Sequence, residues 1–259
     1  MIILEFRYKA AGDSSILMEL DVGIDKDINK LIIHLSNIIE EKTSEGFGEV
    51  IIGYRSLLVQ YNPLTMSYYQ AVEKLKQLKF AENNKSHEKR RHIEIPVLYG
   101  GEVGPDLESV AIHNNLSPKE VISIHSEAHY LVYFLGFTPG YPFMGGMSKR
   151  IATPRLENPR ISIPPGSVGI ANNQTGIYPV ESPGGWRLIG QTPLRLYNQQ
   201  AKQPFLLRAG DSVTFKEIQI DEFNEIKKQV ELGDYIPVIK IDNNNNIYTD
   251  SQKGGISYL

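Results

Sequence analysis

The 259-residue chain contains no cysteine. That excludes disulfides, thiolate catalysis, thiolate zinc sites and iron–sulfur clusters, and it leaves the compartment unconstrained by redox chemistry. Neither sign of charge dominates: 27 basic against 30 acidic side chains leave a net −3. A nucleic-acid binder usually carries a basic stripe, so no nucleic-acid partner is expected. Long apolar runs are also missing. No window approaches the ~18 apolar residues of a membrane span. Residues 1–7 lack a basic leader and a sustained apolar stretch, and Glu5 interrupts them, so no signal peptide is expected. The expectation is a soluble cytoplasmic protein with no membrane partner. Nucleotide fingerprints are absent as well: there is no G-x-x-x-x-G-K-[ST], no G-x-G-x-x-G and no G-x-S-x-G elbow.

What is present is the composition of an ordinary globule. A hydrophobic content of 41% argues against a disordered chain, and the length suits one or two domains. Apolar runs at 2–6 and 16–20 read as strands around a Gly12-Asp13-Ser14 turn. Ile28, Leu31, Ile32, Leu35, Ile38 and Ile39 recur at helical spacing after Asp25. Strands follow at 50–52 and 57–59. A second helix starts at Ser67, with Gln70 completing a capping box and Ala71, Leu75 and Leu78 as its inner face. The polar stretch 83–91 reads as a linker, and 93–97 as a strand. From residue 16 to 97 the order β-α-β-β-α-β is the ferredoxin-like one, unless the last strand opens the next domain.

Two short helices are expected at 105–113 and from Ser117, whose Pro118 and Glu120 supply a first-turn proline and a capping carboxylate. A buried strand is expected at 130–137. Beyond it the texture changes to many short β pieces between Pro/Gly turns: 160–163, 168–171, 177–180, 186–189, 194–197, 205–207 and 212–218. Such a pattern indicates a closed barrel or sandwich. The fold class is therefore an α+β N-terminal domain of ferredoxin-like order followed by an all-β domain. The tail from 224 reads as a short helix and a strand at 236–241.

Two segments concentrate functional side chains. The loop from Leu135 to Gly146 includes Phe137, Pro139 and Tyr141, which suit a rigid pocket wall or an aromatic loop closing one barrel end. The stretch from Asn172 to Gly190 holds Gln174, Tyr178, Glu181, Gly184, Gly185, Trp186 and Arg187. Gln174 and Tyr178 suit hydrogen bonding to an amide, and Arg187 suits a bidentate grip on a carboxylate. Trp186 suits core packing or the pocket wall, and Gly184 and Gly185 suit a turn or the pocket wall. His125 reads either as a helix C-cap interacting with the dipole or as a proton handler. Glu181 is the other candidate for proton transfer. His125 and His129 stand four apart, but no third ligand accompanies them, so no metal site is expected.

These segments, with Tyr54-Arg55-Ser56-Leu57-Leu58-Val59, Ile95-Pro96-Val97-Leu98-Tyr99-Gly100-Gly101-Glu102-Val103-Gly104-Pro105 and Ala152-Thr153-Pro154-Arg155, carry a family resemblance. So do Pro164-Pro165-Gly166-Ser167-Val168-Gly169-Ile170-Ala171 and Ser182-Pro183-Gly184-Gly185-Trp186-Arg187-Leu188-Ile189-Gly190-Gln191-Thr192-Pro193. Over roughly residues 1–223 the chain resembles the KipI / PxpB family, also called the allophanate hydrolase subunit 1 family. The resemblance implies a small α/β domain at 1–82, the linker at 83–91, a cyclophilin-like β-barrel at 92–223 and an extension at 224–259. That extension reads as the start of a segment like the companion C component of the enzyme, or as a plain tail.

Functionally, the resemblance implies the B component of an ATP-dependent 5-oxoprolinase, acting with subunits A and C to open 5-oxoproline to glutamate. ATP would serve the complex without a binding motif in this chain. Other members inhibit a sensor histidine kinase or form part of urea carboxylase. A prolyl isomerase would rest on the barrel alone, and fold does not fix function. On this reading Arg187 anchors the substrate, Gln174 and Tyr178 position it, and His125 or Glu181 moves the proton.

Overall fold

The computed structural model describes residues 5–78, 90–243 and 246–249. The chain divides into two compact units, Met1–Glu88 and Lys89–Leu259. The expected linker lies outside the described residues except for Arg90 and Arg91, which begin a strand of the second unit.

The first unit runs β1 (Phe6–Ala10), β2 (Ser15–Leu20), α1 (Lys26–Glu40), β3 (Phe47–Ile52), β4 (Ser56–Tyr61) and α2 (Tyr68–Lys76). Its sheet has the antiparallel order β1-β2-β4-β3. Helix α1 starts where expected, because the Asp25 carboxylate accepts from the backbone N–H of Asp27 and Ile28. Its stripe of Ile32, Leu35 and Ile39 is fully buried against Ile16, Met18, Leu57 and Val59. Helix α2 carries the Ser67–Gln70 capping box, and Ala71, Leu75 and Leu78 turn inward.

Two details differ from the sequence reading. The first strand begins at Phe6, while residues 1–4 lie outside the described residues. Gly12, at φ +70°, sets a hairpin that pairs Phe6 with Leu20 and Ala10 with Ile16. The charged Lys9 then bonds Glu19 across the ladder at 2.8 Å. The second detail concerns the sixth element of the ferredoxin-like order. The strand at 93–97 belongs to the other unit, and β1 takes the edge beside β2.

The second unit contains β5 (Arg90–Tyr99), α3 (Leu107–His113), α4 (Pro118–Ser126), β6 (Tyr130–Leu135), β7 (Pro142–Gly145), β8 (Arg160–Ile163), β9 (Ser167–Ala171) and β10 (Gln174–Ile177). It continues with β11 (Ser182–Gly184), β12 (Arg187–Gln191), β13 (Ser212–Glu217), α5 (Ile220–Leu232), β14 (Ile239–Asn243) and β15 (Asn246–Thr249). Strands β12-β9-β10-β7-β6-β13-β5 form a ladder, and β5 returns to β12 through Tyr99↔Gly190 and Leu98↔Gln191. This closed seven-stranded barrel is the expected cyclophilin-like domain. Closure removes the open edges that a flat sheet would leave. Strand β5 is ten residues long, so its first half also carries β14 and, through it, the β15 edge.

The turn Asn172-Asn173 is only two residues long, with Asn172 at φ +52°, so β10 starts at Gln174 and ends where a strand over 177–180 was expected. The apolar stretches at 194–197 and 205–207 share a single bridge, Tyr197↔Phe205. Leu194, Leu196, Leu206 and Leu207 enter the core from loops instead.

A polar chain crosses the core. His125, in the last turn of α4, has no exposed surface and stacks on Phe215 at 4.5 Å. The Thr175 hydroxyl donates to the Gly169 carbonyl at 3.1 Å, so it accepts from Nε2–H of His125 at 2.8 Å. Nδ1 is then the acceptor for the Tyr99 hydroxyl at 2.7 Å. The Tyr130 hydroxyl closes the set on the His125 carbonyl. Every donor and acceptor is used with the imidazole neutral, and burial drops its pKa to about 3.

A folded pKa below the ordinary His value means the unfolded chain takes up the proton first. Stability contributed by neutral His125 is therefore present above pH ~6.5 and lost as pH falls toward 3. Between pH 7 and 5 the loss is about 2 kcal/mol. Asp211 acts oppositely: burial raises its pKa to about 6 despite Arg91 nearby, so acidification there favours the folded state by about 1 kcal/mol over the same range. We expect Asp211→Asn to steepen the decline in stability from pH 7 to 5 by that amount, read from urea midpoints. An unchanged slope would contradict the offset.

Candidate functional site

Successive side chains on a strand point to opposite faces, and this places the expected site residues. On β10, Ile177 joins the barrel core and Thr175 meets His125. Gln174, Gly176 and, just past the strand, Tyr178 take the outer face. Register carries the alternation sideways: Thr175 pairs with Ile170, which pairs with Arg187, while Gly176 pairs with Gly169, which pairs with Leu188. Trp186 and Leu188 thus share the outer face with Gln174 and Tyr178. Arg187 falls on the inner side.

The outer face carries its own apolar cluster of Tyr141, Ile163, Ala171, Tyr178, Trp186 and Leu188. Tyr141 is its centre. Its ring meets Tyr178 at 5.3 Å, Phe137 at 5.6 Å and Trp186 at 5.8 Å, all edge-on. Glycines make the floor. A Cβ on Gly176 would stand 2.5 Å from the Tyr141 hydroxyl and 3.1 Å from the Trp186 ring, and one on Gly169 would stand 3.1 Å from the Trp186 Cβ. Gly184 leaves room for the Tyr178 hydroxyl, which is hydrogen-bonded to the Trp186 backbone. Burial raises the Tyr178 pKa, so its phenol stays protonated at neutral pH. Phe137 is two-thirds exposed and adopts φ +64°, which is costly for an aromatic residue. Beside it the Thr138 hydroxyl is buried without a partner among the described residues. Pro139 is exposed.

Three guanidinium groups surround Trp186. Arg160 Nη2 bonds the Asp106 carboxylate at 2.9 Å, and its Nη1 reaches the Trp186 carbonyl at 3.4 Å. The other Asp106 oxygen accepts from Leu188 N–H at 2.7 Å, so Asp106 neutralises Arg160 and pins β12. Arg187 Nε donates to the Pro154 carbonyl at 3.2 Å, and its Nη1 to the Ser109 hydroxyl at 3.2 Å. Arg155 is exposed, and its guanidinium lies 5.9 Å from the Trp186 ring centroid. Its place is set on both sides: the residue before it accepts from Arg187, and Leu156 N–H after it donates to the Gly185 carbonyl at 2.7 Å.

The structure therefore brings Phe137, Tyr141, Tyr178, Gly184 and Trp186 together, with Gln174 on the same face and Gly185 tying in the Arg155 loop. It separates Arg187, whose Nε and Nη1 are directed at Pro154 and Ser109. The proton-handling role expected for His125 does not suit a neutral imidazole bonded at both nitrogens and sealed in the core. Glu181 is exposed between β10 and β11. Arg155, Arg160 and Asp106 were not singled out as site residues from the sequence, because nothing in spacing ties 106 or 155 to 186.

Among the described residues no group of three His, Cys, Asp or Glu side chains could hold a metal ion. Nor do the helix starts suit a polyphosphate. Asp25, Ser67 with Gln70, and Ser117 with Glu120 cap their own helices, and α3 and α5 open on acidic first turns. An open depression of about 430 Å³ lies in the first unit, lined by residues including Glu45, Met66, Glu73 and Lys74. It contains none of the expected site residues.

The floor of the aromatic cluster is testable through fluorescence, because Trp186 is the only tryptophan in the chain. Gly176→Ala is expected to displace the Tyr141 and Trp186 rings, shift the emission to the red and cost about 1–3 kcal/mol. Wild-type emission and stability would show that the rings do not rest on this position.

The family model of the carboxyltransferase domain, subdomain C and D, matches residues 6–207. The chain is 45% identical over 236 residues to the 5-oxoprolinase B component of Bacillus subtilis, covering 87% of this chain and 98% of that protein. It is 40% identical to the protein of the same name from Escherichia coli O157:H7, covering 79% of this chain and 92% of that one. Among solved structures, TTHA0988 superposes with a TM-score of 0.71 at 35% identity over 79% of this chain; the chain spans only 40% of that polypeptide. The urea amidolyase of K. lactis shares the fold, with a TM-score of 0.74 at 21% identity over 95% of this chain and 16% of that one. No helix among the described residues is long and apolar enough to cross a membrane. The long Pro/Gly motifs and the match over most of the chain agree: this protein belongs to the family of the carboxyltransferase domain, subdomain C and D, that includes the KipI / PxpB proteins.

Proposed function

We propose that the chain is the B component of a cytoplasmic ATP-dependent 5-oxoprolinase, acting with subunits A and C. The observation that carries this is the 45% identity, nearly end to end, with a protein bearing that component's name. The barrel's outer face supports it: an aromatic surface beside a guanidinium suits a small flat lactam bearing a carboxylate. In the reaction the lactam carbonyl oxygen takes the terminal phosphoryl group of ATP and ADP leaves; a water oxygen then bonds to the carbonyl carbon, the C–N bond breaks and the nitrogen takes a proton, which leaves an acyl phosphate. A second water cleaves that acyl phosphate to glutamate and phosphate. Such a site needs an anion anchor, donors for the developing oxyanion and a base. Gln174 is the polar side chain of this chain best placed to position the amide. Glu181 is the exposed carboxylate nearest in sequence to the cluster. His125 holds Thr175 and Tyr99 in place and takes no part in proton transfer. The capped and acidic helix starts do not suit a triphosphate, so ATP is assigned to another subunit.

A second reading, inhibition of a sensor histidine kinase, is favoured by one observation: Phe137 is held strained and exposed at the surface. Glutamate release from 5-oxoproline and ATP separates the two. The isolated chain is expected to give none, and the chain with subunits A and C is expected to turn over. Turnover by the chain alone would overturn the assignment to a multi-component enzyme. An inactive reconstituted set, with inhibition of kinase autophosphorylation, would favour the second reading.

A further inference from the structure

We propose that Arg155, held over the Trp186 ring, is the anchor for the substrate's carboxylate. The inference rests on the 5-oxoprolinase reading and names the residue that would read the acid group of the lactam. Of the three guanidiniums around Trp186, Arg160 is neutralised by Asp106 at 2.9 Å. Arg187 lies on the inner side of the strand, where its Nε and Nη1 bond Pro154 and Ser109. Arg155 has no hydrogen-bond or ion-pair partner among the described residues; its contact is the indole face. It is also preorganised. Pro154 and Leu156, its chain neighbours, are bonded to Arg187 and Gly185, the chain neighbours of Trp186. A ring contact leaves the N–H edge of a guanidinium free, and that fork matches a carboxylate bidentately. Holding the group in place before binding lowers the entropy lost on binding. Arg187 thereby becomes a positioning residue, acting through the Pro154 carbonyl.

The test uses the reconstituted complex of this chain with subunits A and C. Losing a charge-assisted bidentate bond costs roughly ten- to a hundredfold in binding. Arg155→Gln is therefore expected to raise the KM for 5-oxoproline by about that factor, with kcat changed much less. Arg155→Lys should recover only part of it, because an ammonium lacks the planar fork. Turnover of 2-pyrrolidinone, the same lactam without the acid, should be equal in wild type and Arg155→Gln. Arg187→Ala should raise KM less, and add nothing to Arg155→Gln in the double variant. Trp186 emission of each isolated chain confirms the fold.

An unchanged KM in a folded Arg155→Gln complex overturns the proposal. So does weakened complex assembly, seen as a higher concentration of subunits A and C needed for half-maximal activity, with the KM at saturating subunits intact; that would mean that the guanidinium meets a carboxylate of a partner subunit. If wild-type complex does not consume 5-oxoproline, the functional reading fails by itself. Arg155 is then judged on the isolated full chain by Trp186 fluorescence. A saturable change with 5-oxoproline, absent with 2-pyrrolidinone and lost in Arg155→Gln, upholds the anchor, and no such change refutes it.

Discussion

A strand cannot point two neighbouring side chains to the same face, and on β10 that constraint organises the whole second unit. Thr175 and Ile177 go inward, where Thr175 fixes the tautomer of His125 and Ile177 fills the barrel. Gln174, Gly176 and Tyr178 go outward and form the ground on which the aromatic cluster lies. The register with β9 and β12 extends the same division to Trp186 and Arg187. One strand thus separates a sealed polar core from an outer surface built for contact. A slip of one residue would exchange the two.

The outer face depends on absence of side chains as much as on their presence. Three aromatic rings lie close to the sheet because Gly169, Gly176 and Gly184 offer no Cβ to hold them away. The Asp106 carboxylate joins Arg160 to the β12 backbone and so relieves the cluster of one positive charge. Two backbone carbonyls, of Pro154 and Gly185, then tie the Arg155 segment to the residues flanking Trp186. Charge, ring and loop are held by different bonds.

Much of this was legible in the chain. Capping residues announced α1, α2 and α4, because Asp25, Ser67 with Gln70 and Ser117 with Glu120 satisfy their own local backbone. The dense segments at 135–146 and 172–190 were recognisable from the gathering of aromatic, amide and glycine residues, and they do meet around Tyr141. Less legible were the elements whose state depends on distant partners. The strand at 93–97 has the same apolar alternation whether it completes a ferredoxin-like sheet or closes a barrel. Leu194, Leu196, Leu206 and Leu207 look like strand residues but fill the core from loops, since burial does not require a ladder.

Composition and local pattern by themselves determined the class of the protein, its α/β-then-β order and the starts of α1, α2 and α4, and the long Pro/Gly motifs carried its resemblance to a family. Those properties are written in neighbouring residues. Tertiary structure alone decided which of three arginines has no hydrogen-bond or ion-pair partner among the described residues. Arg155, Arg160 and Arg187 are equivalent as residue types, and their difference arises only from what folding places beside each: an indole face, the Asp106 carboxylate, or the Pro154 carbonyl and Ser109 hydroxyl. The fate of His125 was decided in the same way, because a histidine at a helix end becomes a fixed neutral link only once Tyr99, Thr175 and Phe215, distant in sequence, have closed around it.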